Sequence, residues 1–186
     1  VYRSLRADGI EISKEHKLRC LSSAGEPLTP EINHWAKSFF GLSVHDHYGQ
    51  TETSMVINNH HHPEIEGNLR DGSMGKVMPG WSATVLKNNA DYPEETGIPG
   101  RVAFIIDESP LFWFAGYIGN TKKSAEKFSK DGKYYITGDT GSIDNDGYFY
   151  FSTRDDDVII MAGYRIGPFE VESALSTHNA VAECAV

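Results

Sequence analysis

Apolar residues recur along the first quarter of the chain at two different periods. Lys17-Leu18-Arg19-Cys20-Leu21 is a short apolar run that predicts a buried strand. After the small-residue segment Ser22–Leu28, residues Ile32, Trp35, Ala36, Phe39 and Phe40 fall at i, i+3, i+4, i+7 and i+8, the stripe of an amphipathic helix. Thr29 is placed to cap that helix, Pro30 suits its first turn, Glu31 its positive end, and Gly41 its close. Leu42-Ser43-Val44-His45 then reads as a second strand, with Gly49 breaking the run. Strand, helix and strand over residues 17–46 predict a βαβ unit with parallel strands. Ligands of such sheets gather at the carboxyl ends of the strands, so Gly25-Glu26-Pro27 and Asp46–Glu52 are expected to face one cleft.

From Gly72 to Phe151 the period shortens to two. Ala83–Leu86, Arg101–Ile106, Tyr134–Thr137 and Tyr148–Phe151 are β-rich runs separated by glycine and proline turns, and Asp144-Asn145-Asp146-Gly147 is a hairpin signal. This part reads as a small antiparallel sheet or barrel, with the aromatic stretch Ser109–Tyr117 packed as core beneath a loop. Asp157–Met161 predicts a further strand, Ala162–Gly167 a flexible turn, and Pro168 the start of a helix with Val171, Ala174 and Leu175 on one face. Val181–Val186 reads as a last strand without its partner. The fold class is therefore α/β.

Composition narrows the functions available. Hydrophobic residues are 39% of the 186 and charged residues 23%, as in a globular chain, and a net charge of −9 argues against nucleic acid or an anionic membrane as the main partner. Two distant cysteines, Cys20 and Cys184, make no disulfide framework, so a reducing cytoplasm is expected. No run of 18 apolar residues and no signal peptide is visible. Val1 opens the chain like the end of a helix and Val186 closes it inside a strand, which predicts a fragment. His60, His61 and His62 are sequence neighbours that rarely point at one ion, so a solvated loop is expected there rather than a metal site.

Candidate chemistry centres on Asp46-His47-Tyr48-Gly49-Gln50-Thr51-Glu52. An aromatic ring, a hydroxyl and a carboxylate follow a glycine that permits close backbone approach, the parts wanted for nucleotide stacking, phosphate binding and Mg²⁺. Read from composition alone, the same segment is a polar turn after a strand. Thr137-Gly138-Asp139 holds a carboxylate able to accept two ribose hydroxyls, and Arg154-Asp155-Asp156-Asp157 reads as a solvated, ion-paired loop.

Taken together and in order, Gly25-Glu26-Pro27, Tyr48-Gly49-Gln50-Thr51-Glu52, Thr137-Gly138-Asp139, Arg154–Asp157 and Gly163-Tyr164-Arg165-Ile166-Gly167 resemble the AMP-forming adenylating enzymes: acyl-CoA synthetases, luciferases and peptide-synthetase adenylation domains. Ala24–Leu28 and Gly163–Glu172 are most similar to acetyl- and medium-chain acyl-CoA synthetases. The resemblance implies ATP, Mg²⁺ and coenzyme A as cofactors and a small carboxylic acid as substrate. Its alternatives are a non-catalytic nucleotide- or acyl-binding module and an enzyme with a carrier-protein acceptor, and a homo-oligomer is possible within it. It implies an adenine wall of Gly25, Glu26, Pro27, Asp46, His47 and Tyr48 that continues into Gly49 and Gln50. It gives Thr51 to the α-phosphate, Glu52 to Mg²⁺, and Asp139 with Arg154 to the ribose. Asp156 is then the hinge, and Gly163 and Arg165 serve the thioester and adenylate conformations. Residues 1–71 become part of an α/β nucleotide-binding subdomain, 72–153 a β-rich subdomain, and 154–186 the hinge and start of a small α+β carboxyl-terminal domain. The family's upstream phosphate loop and terminal lysine are absent from the sequence. Acetyl-specific relatives carry tryptophan where Gly49 stands, which implies an acyl pocket extending past Gly49.

Overall fold

The amphipathic stripe becomes a helix with the bounds its punctuation predicts. In the computed structural model α2 runs over Pro30–Phe40, with Glu31 in its first turn and Gly41 in the left-handed region at φ 71°. Ile32, Ala36 and Phe40 are its buried face. Thr29 occupies the cap position without a side-chain capping bond. The structure describes every residue except Lys14, Glu66, Asp155, Asp156, Ala162, Gly163, Thr177, Asn179, Ala182 and Glu183.

α2 is preceded by α1 (Tyr2–Ala7) and β1 (Leu21–Ala24) and followed by β2 (Val44–Gln50). β1 pairs parallel with β2, Leu21 opposite Val44 and Ala24 opposite His47, so the βαβ unit is present. Its first strand lies later than the apolar run suggested. Leu18 and Cys20 are exposed, and only Leu21 of that run is buried beside Ala36, Phe40 and Val44. The backbone pairing that β2 offers, rather than the hydrophobicity of Lys17–Leu21, sets the start of β1.

Two further departures shape the cleft. β2 does not end at Gly49. It continues to Gln50 and turns back into β3 (Ser54–Asn58), with a register shift between Tyr48 and Gly49. β3 was not foreseen, although Met55-Val56-Ile57 is an apolar run; Val56 and Ile57 are fully buried. The remaining strands are β4 (Ser73–Val77), β5 (Ala83–Leu86), β6 (Gly100–Ile105), β7 (Tyr134–Ile143) and β8 (Phe149–Arg154), with α3 (Thr121–Ala125) before β7. They pair antiparallel, as the sequence pattern predicts, and join the first strands in one eight-stranded sheet, ordered β1-β2-β3-β4-β8-β7-β6-β5. Hydrogen bonding crosses residue 72 without a break, because β4 pairs with β3 on one side and with β8 on the other. The β4–β8 register sets Ser73 opposite Tyr150 and is fastened where the Ser73 hydroxyl donates to the Phe149 carbonyl at 2.9 Å.

The main core gathers on this sheet around Ile57, Val102, Phe104, Tyr135 and Phe149. The aromatic stretch joins it in part: Phe114 is buried and Phe112 packs against it, while Leu111 and Trp113 are exposed. The Asp144–Gly147 turn forms as the pattern predicts, the Gly147 amide donating to the Asp144 carbonyl at 3.1 Å. Beyond it, β9 (Ile159–Met161) pairs antiparallel with β10 (Tyr164–Ile166), and α4 (Pro168–Ser176) starts at the proline. The described residues of the last run, Val181 and Cys184–Val186, form no strand. A strand requires a partner to take its ladder bonds, and none of the described strands pairs with this run.

Gly49 stands at the tightest backbone approach in the β2–β3 hairpin. A Cβ placed on it would lie 1.9 Å from the Ser54 carbonyl oxygen and 2.7 Å from the Met55 Cα. The space that a side chain on residue 49 would enter is thus filled by β3 backbone. Backbone atoms cannot swing aside as side chains do, so Gly49→Ala is expected to cost about 3 kcal/mol, and Gly49→Trp to disrupt β2–β3 pairing. Urea unfolding of the alanine variant checks this; an unchanged midpoint would show that the hairpin yields freely.

Candidate functional site

The carboxyl ends of β1 and β2 form one wall of a cleft of about 630 Å³, and an irregular stretch of β7 faces them. Gly25, at φ 89°, turns the chain out of β1 and brings Glu26 and Pro27 to the wall. Asp46, His47, Tyr48, Gly49 and Gln50 line it from β2, and Thr51 and Glu52 from the turn that follows. Opposite lie Thr137, Gly138 and Asp139, with Arg154 at the end of β8. Thr137-Gly138-Asp139 is not a free turn. It is a bulge inside β7, where Arg101 pairs with Thr140 but Ala103 pairs with Ile136, and Gly138 takes φ 84°. The extra residues re-aim Asp139. Gly25, Glu26, Pro27, Asp46, His47, Tyr48, Gly49, Gln50, Thr51, Glu52, Asp139 and Arg154 thus line one cleft. Asp156 and Gly163 lie outside the described residues. Arg165 sits in β10 opposite Ile160.

Asp139 ties the two walls together. The Tyr48 hydroxyl donates to its Oδ2 at 2.5 Å and the Gln50 Nε2 to the same oxygen at 2.7 Å. Gln50 also donates to the Thr137 carbonyl at 3.0 Å and accepts from the Tyr135 hydroxyl at 3.2 Å. Both side-chain donors converge on Oδ2, so Oδ1 retains its acceptor capacity. Burial raises the Asp139 carboxyl above the ordinary range, against the Tyr48 hydroxyl, the Arg154 charge, Gln50 and the Lys127 charge, which pull it down. Burial and the neighbouring Asp139 hold the Tyr48 phenol well above its usual value, so it stays a donor.

Asp46 and the histidines around it form a second cluster. Asp46 is 8% exposed and its Oδ1 has no hydrogen-bond partner. Burial lifts its carboxyl to about 7, with the backbone amides of Leu28 and His47 acting the other way. An orphaned buried acceptor beside the cleft suits a ligand that brings a donor. The histidine run is more ordered than a solvated loop. The His61 ring stacks on His45 at 3.7 Å, and the Ser22 hydroxyl lies 3.1 Å from the His61 Nε2 and 3.2 Å from the His47 Nε2. Burial first, then the charges of His61 and His45, depress the His47 imidazole.

At the far end of the cleft the Tyr117 hydroxyl donates to Glu52 Oε1. Burial works to raise the Glu52 carboxyl, but the Tyr117 bond, the Glu52 backbone amide and the charges of Lys127 and Lys123 outweigh it and lower it. Tyr117 is pushed up to about 12 by its own burial and by Glu52. One ionised carboxylate suits Mg²⁺, which keeps waters and takes its other oxygens from phosphate. Tyr117, Lys123 and Lys127 were not anticipated as site residues. The i, i+4 spacing of the two lysines behind the aromatic stretch was the available signal.

The AMP-binding enzyme family profile matches residues 3–105. The chain is 41% identical over 187 residues to "Acyl-coenzyme A synthetase ACSM3, mitochondrial" of Mus musculus, covering all of this chain and 31% of that protein. Among solved structures it resembles the acyl-CoA synthetase of Brucella canis, at 50% identity and a TM-score of 0.67 over 91% of this chain and 30% of that one. It also resembles ATP-bound MatB from Rhodopseudomonas palustris, at 31% identity and a TM-score of 0.79 over 90% of this chain and 32% of that one. The chain thus spans about a third of the length of these relatives.

The Asp46 carboxyl gives the fold a testable pH dependence. Its folded value of about 7 exceeds the ordinary carboxylate range near 3.9, so folding favours the protonated form. The stability it contributes is complete below about pH 4 and is lost as the pH rises through about 7, at most ~4 kcal/mol in all. Asp46→Asn is uncharged throughout, so its Tm advantage over the wild type should widen between pH 5 and pH 8. Parallel Tm profiles across that window would show a solvated carboxylate instead.

Proposed function

This chain belongs to the AMP-binding enzyme family, and we propose on that premise that its cleft binds the adenylate portion of ATP. The protein that carries it joins a carboxylic acid to coenzyme A. The observation that carries this reading is Asp139: a buried carboxylate, held by Tyr48 and Gln50 through one oxygen, faces Gly25-Glu26-Pro27 across a cleft of nucleotide size. The similarity to a protein named as an acyl-coenzyme A synthetase and to a structure described as ATP-bound supports it.

In this reading the adenine lies against Gly25, Glu26, Pro27, Asp46, His47 and Tyr48, where the unpartnered Asp46 oxygen accepts its amino group. Asp139, with Arg154, takes the ribose hydroxyls; Thr51 donates to the α-phosphate; Glu52 holds Mg²⁺, which would neutralise phosphate oxygens. A substrate carboxylate attacks the α-phosphorus, the bond to the β-phosphate oxygen breaks, and pyrophosphate leaves with its electron pair. The thiolate of coenzyme A then attacks the acyl carbon and AMP departs. Asp156 is the hinge between the two steps, with Gly163 and Arg165 serving one conformation each. With only two cysteines, far apart in sequence, the chain suits a reducing compartment such as the cytoplasm.

ATP-dependent pyrophosphate exchange across a panel of carboxylic acids, run on the protein that carries this chain, tests the activity. Exchange stimulated by one class of acid is the expected result, and nucleotide binding with no exchange for any acid would point to a binding module. The site itself is tested by Asp139→Ala in this chain. Loss of a charged acceptor for the ribose should weaken AMP by about 1.5–3 kcal/mol in calorimetry. Unchanged AMP affinity would remove Asp139 from the nucleotide site.

A further inference from the structure

We propose that Lys127 binds the 5′-phosphate of the nucleotide from the β7 side of the cleft. This rests on the nucleotide reading above and adds to it a residue that the sequence motifs do not include. Lys127 follows α3 and lines the cleft with Lys123. Its ammonium donates to the Thr137 carbonyl at 2.9 Å, the same oxygen that receives Gln50 Nε2 at 3.0 Å. That shared acceptor places the positive charge beside Gln50, next to the turn that carries Thr51 and Glu52. The Lys127 ammonium also lies against Gly138, where a Cβ would stand 3.5 Å from the Nζ, an ordinary van der Waals contact.

The surroundings fix what the charge is for. Lys127 acts electrostatically on Asp139, pulling its carboxyl down against the burial that raises it. Yet the ion pairs of the described residues involve other cations: Arg3, His34, Arg70 and Arg101. An ammonium has three donors, and Thr137 takes one. The others are held over a cleft already rich in carboxylates, Glu26, Asp46, Glu52 and Asp139. Such a cleft repels an anionic ligand unless fixed cations offset it. Lys127 is anchored by a carbonyl rather than by either carboxylate, so a phosphate between Thr51 and Asp139 can take its free donors without first breaking an ion pair. Lys123, 5.4 Å above the Tyr117 ring, adds charge further out but lacks that anchor.

The test compares adenosine with AMP, which differ by the phosphate alone, using calorimetry on the whole 186-residue chain. Lys127→Met should lower AMP affinity about tenfold, the scale of a charge-assisted hydrogen bond, and leave adenosine affinity within about twofold. Lys127→Arg should restore most of the loss, and the wild-type salt dependence for AMP should flatten in the methionine variant. Equal weakening of adenosine and AMP would overturn the proposal, since Lys127 would then only be supporting Asp139 or β7. Undiminished AMP affinity would overturn it as well. Failure of the nucleotide reading looks different: the wild type then binds neither compound, and both proposals fall.

Discussion

One carboxylate oxygen holds the cleft together. Asp139 Oδ2 receives Tyr48 and Gln50 from β2, so the wall that follows the βαβ unit and the wall made by β7 are joined by two short hydrogen bonds. Hydrogen bonds to a charged, buried acceptor are about twice as strong as neutral ones and costly to leave half made. The rest of the site is arranged around that constraint. The bulge in β7 exists where Asp139 must turn, and the shift in β2 falls between Tyr48 and Gly49, beside the residues that reach across. The donors use one oxygen and leave the other for a ligand.

The titrating groups divide along the same line. At one end Asp46 is raised by burial and has an oxygen without a partner. At the other Glu52 is kept ionised by Tyr117 and two lysines. A ligand that is a hydrogen-bonding ring at one end and an anion held by metal and cations at the other matches this gradient. Burial thus favours protonation at the Asp46 end of the cleft, while charge is held at the Glu52 end.

Local signals with a single physical cause were legible in the sequence. The helical stripe with its proline and glycine punctuation predicted α2 to the residue, and Asp144-Asn145-Asp146-Gly147 predicted the turn before β8. The family resemblance brought Asp139 of β7 to the cleft that β2 lines. What stayed hidden depends on partners far along the chain. Leu18 and Cys20 look like strand interior until β2 is seen to pair only from Leu21. β3 is invisible because its apolar run is short and its place is set by the turn after Gln50. Lys127 carries no motif, and its role depends on a carbonyl in β7 that accepts it. Gly49 shows the same dependence on distant partners: the backbone of β3 occupies the space that a side chain there would enter.

The pairing of β4 with β8 reaches beyond architecture. It joins Ser73 to Phe149, 76 residues apart, in the middle of the sheet. Closing so long a loop costs entropy before any cross-strand contact repays it. The βαβ unit can form from local contacts, but Asp139 meets Tyr48 and Gln50 only after that distant closure. The cleft is therefore completed only by contacts far apart in sequence. Until then β4 and β8 present unpaired edges, open to pairing with other chains.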